Sequence, residues 1–115
     1  MSAANCLFCR IGAGEIPATR LHADDLVFAI RDINPQASTH VLLISRAHVV
    51  SAAELTDASG PLLERLFAVA ADIARREGLD GGWRLVTNVG PHGGQSVAHL
   101  HLHLLGGRAM GWPPG

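Results

Sequence analysis

Ala98-His99-Leu100-His101-Leu102-His103-Leu104-Leu105 alternates imidazole with aliphatic side chains, and this stretch decides how the rest of the chain is read. On a strand successive side chains point to opposite faces, so His99, His101 and His103 share one face and Leu100, Leu102 and Leu104 the other. The leucine face belongs to a core. The histidine face is about 13 Å long between its outer members, from roughly 6.5 to 7 Å per same-face step, which is too far for all three imidazoles to ligate one metal ion. Such a row suits an extended ligand. Imidazole, whose pKa lies nearest neutrality among side chains, also suits nucleophilic and proton-transfer chemistry. A half-exposed amphipathic strand and a His-rich metal tract are the other readings, although a solvated face is ordinarily built from Thr, Lys or Glu.

Working outward, 115 residues predict a single domain covering residues 1–115, small enough for oligomerisation or a metal to help it fold. Hydrophobic residues at 48% against 17% charged argue for a folded chain and against disorder. Nine basic residues, all arginine, oppose ten acids, and no arginine stripe runs along the sequence. Charge therefore gives no basis for nonspecific nucleic-acid binding. The first residues, Met1-Ser2-Ala3-Ala4-Asn5, lack a positive segment leading into an apolar run, which predicts a cytoplasmic protein. The apolar stretches are interrupted well before 18 residues, which excludes a membrane-crossing helix.

Near the N-terminus, Cys6-Leu7-Phe8-Cys9 leads into a short helical turn ended by glycine and proline. A lone C-x-x-C is a redox pair, half of a zinc site, or two ordinary buried cysteines, and the βαβ pattern of thioredoxin-like proteins is missing around it. Leu26-Val27-Phe28-Ala29-Ile30 reads as a strand closed at Asn34-Pro35, with Asp32 at its exit either forming an Asx turn or serving a site. His40-Val41-Leu42-Leu43-Ile44-Ser45 reads as a second strand buried on both faces, where a lone His40 is ordinarily a hydrogen-bonded core residue. Pro61 to Glu77 is the one clear helix, with Leu62, Leu63, Leu66, Phe67, Val69, Ala70, Ile73 and Ala74 at helical spacing. Its first turn takes the proline, Arg75 and Arg76 complement the dipole, and Gly78 suits the residue beyond its end. Trp83-Arg84-Leu85-Val86-Thr87-Asn88 alternates as a further strand. The loop after it, through Gly93-Gly94-Gln95-Ser96, is a phosphate cradle or a plain hairpin connection. The predicted order is a short helix, two or three strands, one long helix and two strands, an α+β layout with the helix on a mostly antiparallel sheet.

Gly93-Gly94-Gln95-Ser96-Val97-Ala98-His99-Leu100-His101-Leu102-His103-Leu104-Leu105-Gly106-Gly107 resembles the signature of the histidine triad (HIT) family. The resemblance extends upstream through Cys6-Leu7-Phe8-Cys9-Arg10-Ile11, Gly14-Glu15-Ile16-Pro17-Ala18, Arg31-Asp32-Ile33-Asn34-Pro35-Gln36-Ala37 and Thr39-His40-Val41-Leu42. Downstream it reaches Trp112-Pro113-Pro114-Gly115, so it covers nearly the whole chain, on the Hint-like nucleotide-binding side of the family. It implies an α+β HIT fold, with a five-stranded mostly antiparallel sheet, one long helix and a short N-terminal helix. It further implies a homodimer whose sheets join edge to edge, binding of purine nucleoside monophosphates, and hydrolysis of nucleoside 5′-phosphoramidates. Dinucleoside polyphosphate hydrolysis, or a nucleotide-binding scaffold with vestigial turnover, are the alternatives.

Carried over by position, the resemblance makes His101 the nucleophile that attacks phosphorus. His103 becomes the neighbour that hydrogen-bonds the phosphoryl oxygens, and His40 a further histidine behind the triad. Asp32 grips the ribose, and Phe8, Ile11, Ile16 and Ile33 wall the base. Ser96, with the backbone around Gly94 and Gln95, contacts phosphate, and Asn88 lies beside it. Cys6, Cys9, His48 and His99 form a zinc-ligand set, closed and therefore structural, in which His99 braces the site and performs no chemistry. Trp112 in the tail reaches toward the partner's site. His22 and His92 match no family role and are expected at the surface.

Overall fold

The computed structural model describes residues 5–115; residues 1–4, on which most of the leader reading rests, lie outside them. The elements are α1 (Leu7–Gly12), β1 (Arg20–Ala23), β2 (Val27–Arg31), β3 (Thr39–Ser45), α2 (Gly60–Arg76), β4 (Trp83–Val86) and β5 (His101–Gly106). The strands form one sheet in the order β1-β2-β3-β5-β4, and every pairing is antiparallel. The α+β layout expected from the sequence is the one observed, with the sheet antiparallel throughout. No helix among the described residues is long and apolar enough to cross a membrane.

The sheet has two unlike faces because its central strands alternate two apolar sets. Val27 and Ala29 of β2, Val41 and Leu43 of β3 and Leu102 and Leu104 of β5 face α2, which meets them with Leu66, Val69, Ala70, Ile73 and Ala74. Phe28 and Ile30, Leu42 and Ile44 face the other way, where α1 covers them with Phe8 and Ile11. All of β3 is buried, as a strand with apolar residues at nearly every position should be. Pro61 occupies the first turn of α2 and Arg75 and Arg76 its last. Gly106 in β5 is fixed by packing, since a Cβ there would stand 2.5 Å from Leu79 Cδ1.

Two local expectations are corrected. The histidine stretch is not one strand from Ala98: the chain bends at residues 97–99, where the His99 N–H donates to the Val97 carbonyl at 2.9 Å, and β5 begins only at His101. His99 therefore leaves the row, while His101 and His103 remain on one strand. Phe67 does not join the core of α2; it is 55% exposed, and with Leu63, Leu55 and Leu85 it lines an apolar groove beside β4.

Candidate active site and metal centre

The bend at residues 97–99 makes two sites out of one motif. His99 is fully buried, and its Nε2–H donates to the Ser45 carbonyl at 2.7 Å, which leaves the Nδ1 lone pair directed to the sulfur atoms. That Nδ1 stands 3.2 Å from Cys6 Sγ and 3.5 Å from Cys9 Sγ, and His48 Nδ1 stands 3.2 Å from Cys9 Sγ. All four donor atoms lie within 4.8 Å of one another. A tetrahedron with metal–sulfur bonds of about 2.3 Å and metal–nitrogen bonds of about 2.0 Å has sulfur–nitrogen edges of roughly 3.5 Å, so the donor set fits a zinc ion in number, chemistry and spacing. Burial, with Cys6 as neighbour, pushes the Cys9 thiol up to about 11, so in the absence of a cation it stays protonated at neutral pH. Both cysteines are free thiols. His48 Nε2 is buried without a hydrogen-bond partner among the described residues.

His101 is 5% exposed, and its Nδ1–H donates to the His99 carbonyl at 2.6 Å. That bond fixes the tautomer, and Nε2 keeps the lone pair. The second imidazole is set by a relay. The Gln36 N–H donates to His40 Nδ1 at 3.0 Å, so His40 carries its proton on Nε2 and directs it to His103 Nδ1 at 2.9 Å. His103 in consequence carries its own proton on Nε2, as a donor. His40 is 6% exposed and also lies 3.4 Å from Asp32 Oδ2. Asp32 Oδ1 meanwhile accepts from the Asn34 N–H at 2.8 Å, so the Asx-turn reading and a place in the site hold together. Asp32, His40 and His103 also meet the spacing of a metal-ligand group, but their ring nitrogens are committed to one another.

His101 and His103, with ring centroids 5.1 Å apart, line a cavity of about 470 Å³. Its polar end is completed by Asp32 and Ser96, and its apolar end by Phe8, Ile11, Ile16, Pro17 and Ile30. The volume lies within the range of roughly 300–1,000 Å³ usual for small-molecule sites. A more open groove of about 580 Å³ lies between the β1–β2 turn and α2. Its central carboxylate, Asp24, is already shared by His22 and Arg65 and offers a ligand little.

Not every residue expected here reaches the cavity in the expected way. Ile33 lines it but is fully exposed, so it forms a lip and not a wall. Asn88, Gly94 and Gln95 stand outside the lining. In the glycine loop the N–H groups of Gly93, Gly94 and Gln95 turn inward to the carbonyls of Gly90 and Pro91, so they do not make the cradle that glycine content suggested. The Gln95 side chain is also committed, accepting from the Gly90 N–H and donating to the Val50 and Val97 carbonyls. The loop's contribution to the lining is Ser96 and Val97. Leu7, Thr19, Ile30 and Leu42 line the cavity as well and were not singled out from sequence; Leu42 pairs directly with His103 across β3 and β5. His92 is exposed as expected, whereas His22 is half-buried and paired with Asp24.

Burial depresses His101 below the ordinary imidazole range despite the opposing influence of the His99 carbonyl and Asp32. Burial, with His101 and His40 as neighbours, pushes His103 down to about 4. A group harder to protonate in the folded state destabilises that state on the acid side of its unfolded pKa. The His103 ring resonances are therefore expected to titrate near pH 4 in an NMR titration, with the melting temperature falling as pH drops from about 6.5 toward 4. A midpoint near 6.5 would contradict the influence of burial and of the neighbouring His101 and His40 on this ring.

The model of the family described as "HIT domain" matches residues 13–110. The chain is 47% identical over 111 residues to the 14 kDa zinc-binding protein of Zea mays, covering 95% of this chain and 87% of that one. It is 44% identical over 106 residues to the purine nucleoside phosphoramidase of Escherichia coli K12, covering 91% of this chain and 89% of that one. Among solved structures, the HIT family hydrolase from Legionella pneumophila Philadelphia 1 superposes with a TM-score of 0.94 at 51% identity, covering 96% of this chain and all of that one. The alternating histidines, the antiparallel sheet that carries them and these likenesses agree, and the chain belongs to the HIT domain family.

Proposed function

We propose that this HIT family hydrolase cleaves purine nucleoside 5′-phosphoramidates through a covalent nucleotidyl-histidine on His101. The observation that carries the proposal is the hydrogen bonding of two neighbouring rings in the cavity: His101 Nδ1 meets the His99 carbonyl and His103 Nδ1 meets His40 Nε2, an arrangement that puts a lone pair on His101 Nε2 and a proton on His103 Nε2. A phosphoryl group between them would meet a nucleophile and a hydrogen-bond donor together. The similarity to a purine nucleoside phosphoramidase supports the substrate class.

In this reading Phe8, Ile11, Ile16 and Ile30 enclose the base and the Asp32 carboxylate accepts from the ribose hydroxyls. Attack by His101 Nε2 forms a nitrogen–phosphorus bond as the bond to the departing amine breaks. The amine leaves with the electron pair and is protonated from solvent. The His99 carbonyl, holding Nδ1–H, steadies the positive charge on the phosphorylated ring. Water then attacks phosphorus and gives up a proton to solvent as the nitrogen–phosphorus bond breaks, releasing the nucleoside monophosphate and restoring the His101 lone pair. Covalent catalysis divides one difficult displacement into two easier ones.

Cys6, Cys9, His48 and His99 would hold a zinc ion, which closes its own coordination shell and supplies structural cross-linking, with no position open for catalysis. The similarity to a zinc-binding protein supports this. The edge strand β4 and the apolar groove formed by Leu55, Leu63, Phe67 and Leu85 support assembly as a homodimer through that edge. The Arg84 guanidinium donates to the Gly111 carbonyl at 2.9 Å, so the tail with Trp112, 83% exposed, starts from the same edge.

Steady-state rates on an adenosine phosphoramidate and on a diadenosine polyphosphate, with AMP binding measured on the same preparation, test the proposal. A kcat/KM at least about 100-fold higher on the phosphoramidate is expected, about 3 kcal/mol of transition-state discrimination. The reverse ranking would establish a dinucleoside polyphosphate hydrolase, and AMP binding without turnover a scaffold.

A further inference from the structure

At six residues, α1 is too short to hold its own shape in water. It nevertheless carries Phe8 and Ile11 of the cavity wall, and Cys6 and Cys9 of the thiol–imidazole cluster lie at its start. The cluster ties down its first turn. At its other end the carbonyls of Cys9, Arg10 and Ile11 take the N–H groups of the turn that follows, from Ala13, Glu15 and Gly14, and the helix dipole is negative there.

Two guanidinium groups meet that end. Arg20 of β1 donates from Nη2 to the Ile11 carbonyl, and Arg46, just after β3, donates from Nη1 to the Gly12 carbonyl at 2.7 Å. Both lie against one buried ring, with Cζ atoms 5.5 Å and 5.1 Å from the centroid of Phe28, which is 1% exposed. Arg46 is held in place in turn, its Nε donating to the Asp24 carbonyl at 2.9 Å. Neither arginine pairs with a carboxylate among the described residues. Gly12 permits the close approach, since a Cβ there would stand 2.9 Å from Phe28 Cε1.

We infer that Arg20 and Arg46 are positioning residues for the base-binding end of the cavity, clamping the C-terminal end of α1, and with it Ile11, onto Phe28. The inference rests on the nucleotide reading of the cavity. Neither arginine touches the ligand in this scheme. They act by keeping the wall formed, and apparent affinity scales with the fraction of molecules in which it is formed. The cluster cannot substitute for them, because it holds the opposite end of the helix.

The test joins amide hydrogen exchange over residues 10–15 with calorimetric titration of AMP, on protein purified without chelator. Those amides close the end of α1: the Ala13 N–H donates to the Cys9 carbonyl, Gly14 to Ile11 and Glu15 to Arg10. In Arg20→Met and Arg46→Met, exchange at these amides should quicken by about tenfold and the AMP Kd rise by about five- to tenfold, with larger effects in the double variant. Arg20→Lys should restore both, because an ammonium still reaches one carbonyl. Arg75→Met, at an exposed site on α2, should change neither. Unchanged exchange in both Met variants would overturn the clamp. Faster exchange with unchanged AMP affinity would overturn its role at the base. Wild-type protein that fails to bind AMP, with the exchange results as expected, would overturn the nucleotide reading while the clamp on α1 stands.

Discussion

Replacing His101 with alanine is expected to lower turnover of an adenosine phosphoramidate by about four to six orders of magnitude, while AMP affinity changes by less than about tenfold. The asymmetry follows from what this imidazole does. It is the ring whose Nδ1–H is taken by the His99 carbonyl at 2.6 Å and whose remaining nitrogen keeps a lone pair on the cavity side of the sheet. Binding draws on the apolar wall, Asp32 and Ser96, which the substitution leaves in place. His103→Ala should fall less steeply and still form adduct, because it removes a donor and leaves the nucleophile. Steady-state kinetics with calorimetric AMP titration checks both variants. Near-normal turnover by His101→Ala would mean that another histidine carries the chemistry.

Cys9→Ser is expected to lower the melting temperature by roughly 10–20 °C, and elemental analysis of wild-type protein purified without chelator to find about one zinc per chain. The cluster joins three parts of the fold at one point: α1 through Cys6 and Cys9, the segment after β3 through His48, and the bend before β5 through His99. Structural zinc contributes directly to folding free energy, and here it would also hold the helix that walls the cavity. Absence of metal, or an unchanged melting temperature in Cys9→Ser, would remove zinc from the description of the site.

The features legible in the sequence were those with a strict period or a rare residue pattern. The leucine side of the histidine stretch, the doubly apolar β3 and the amphipathic α2 read directly as core, because burial demands those periods. Of the residues that the family resemblance singled out, the fold gathers Phe8, Ile11, Ile16, Asp32, Ser96, His101 and His103 at the cavity and Cys6, Cys9, His48 and His99 in the cluster, and leaves Asn88, Gly94 and Gln95 outside the lining. Other features depend on tertiary partners that no local pattern encodes. His99 leaves the strand because its ring packs between the cysteines and the Ser45 carbonyl, a contact formed across the fold. The glycine loop resembles an anion cradle in composition, but its N–H groups close on its own carbonyls. β1 was not located, being four residues long, and paired to β2 with an irregular register near Arg20. Nothing local marks Arg20 and Arg46, since the helix carbonyls they meet are brought to them by the fold.

The central claim is the covalent intermediate on one named nitrogen. Rapid quenching of wild-type enzyme with an adenosine phosphoramidate labelled at phosphorus, followed by peptide mapping under alkaline conditions, tests it most directly. An acid-labile phosphorus–nitrogen adduct on His101, formed within a single turnover and decaying at the rate of steady-state hydrolysis, is the expected result. Label on His103 or His40 alone, or turnover in which no adduct forms under conditions that preserve such bonds, would contradict it.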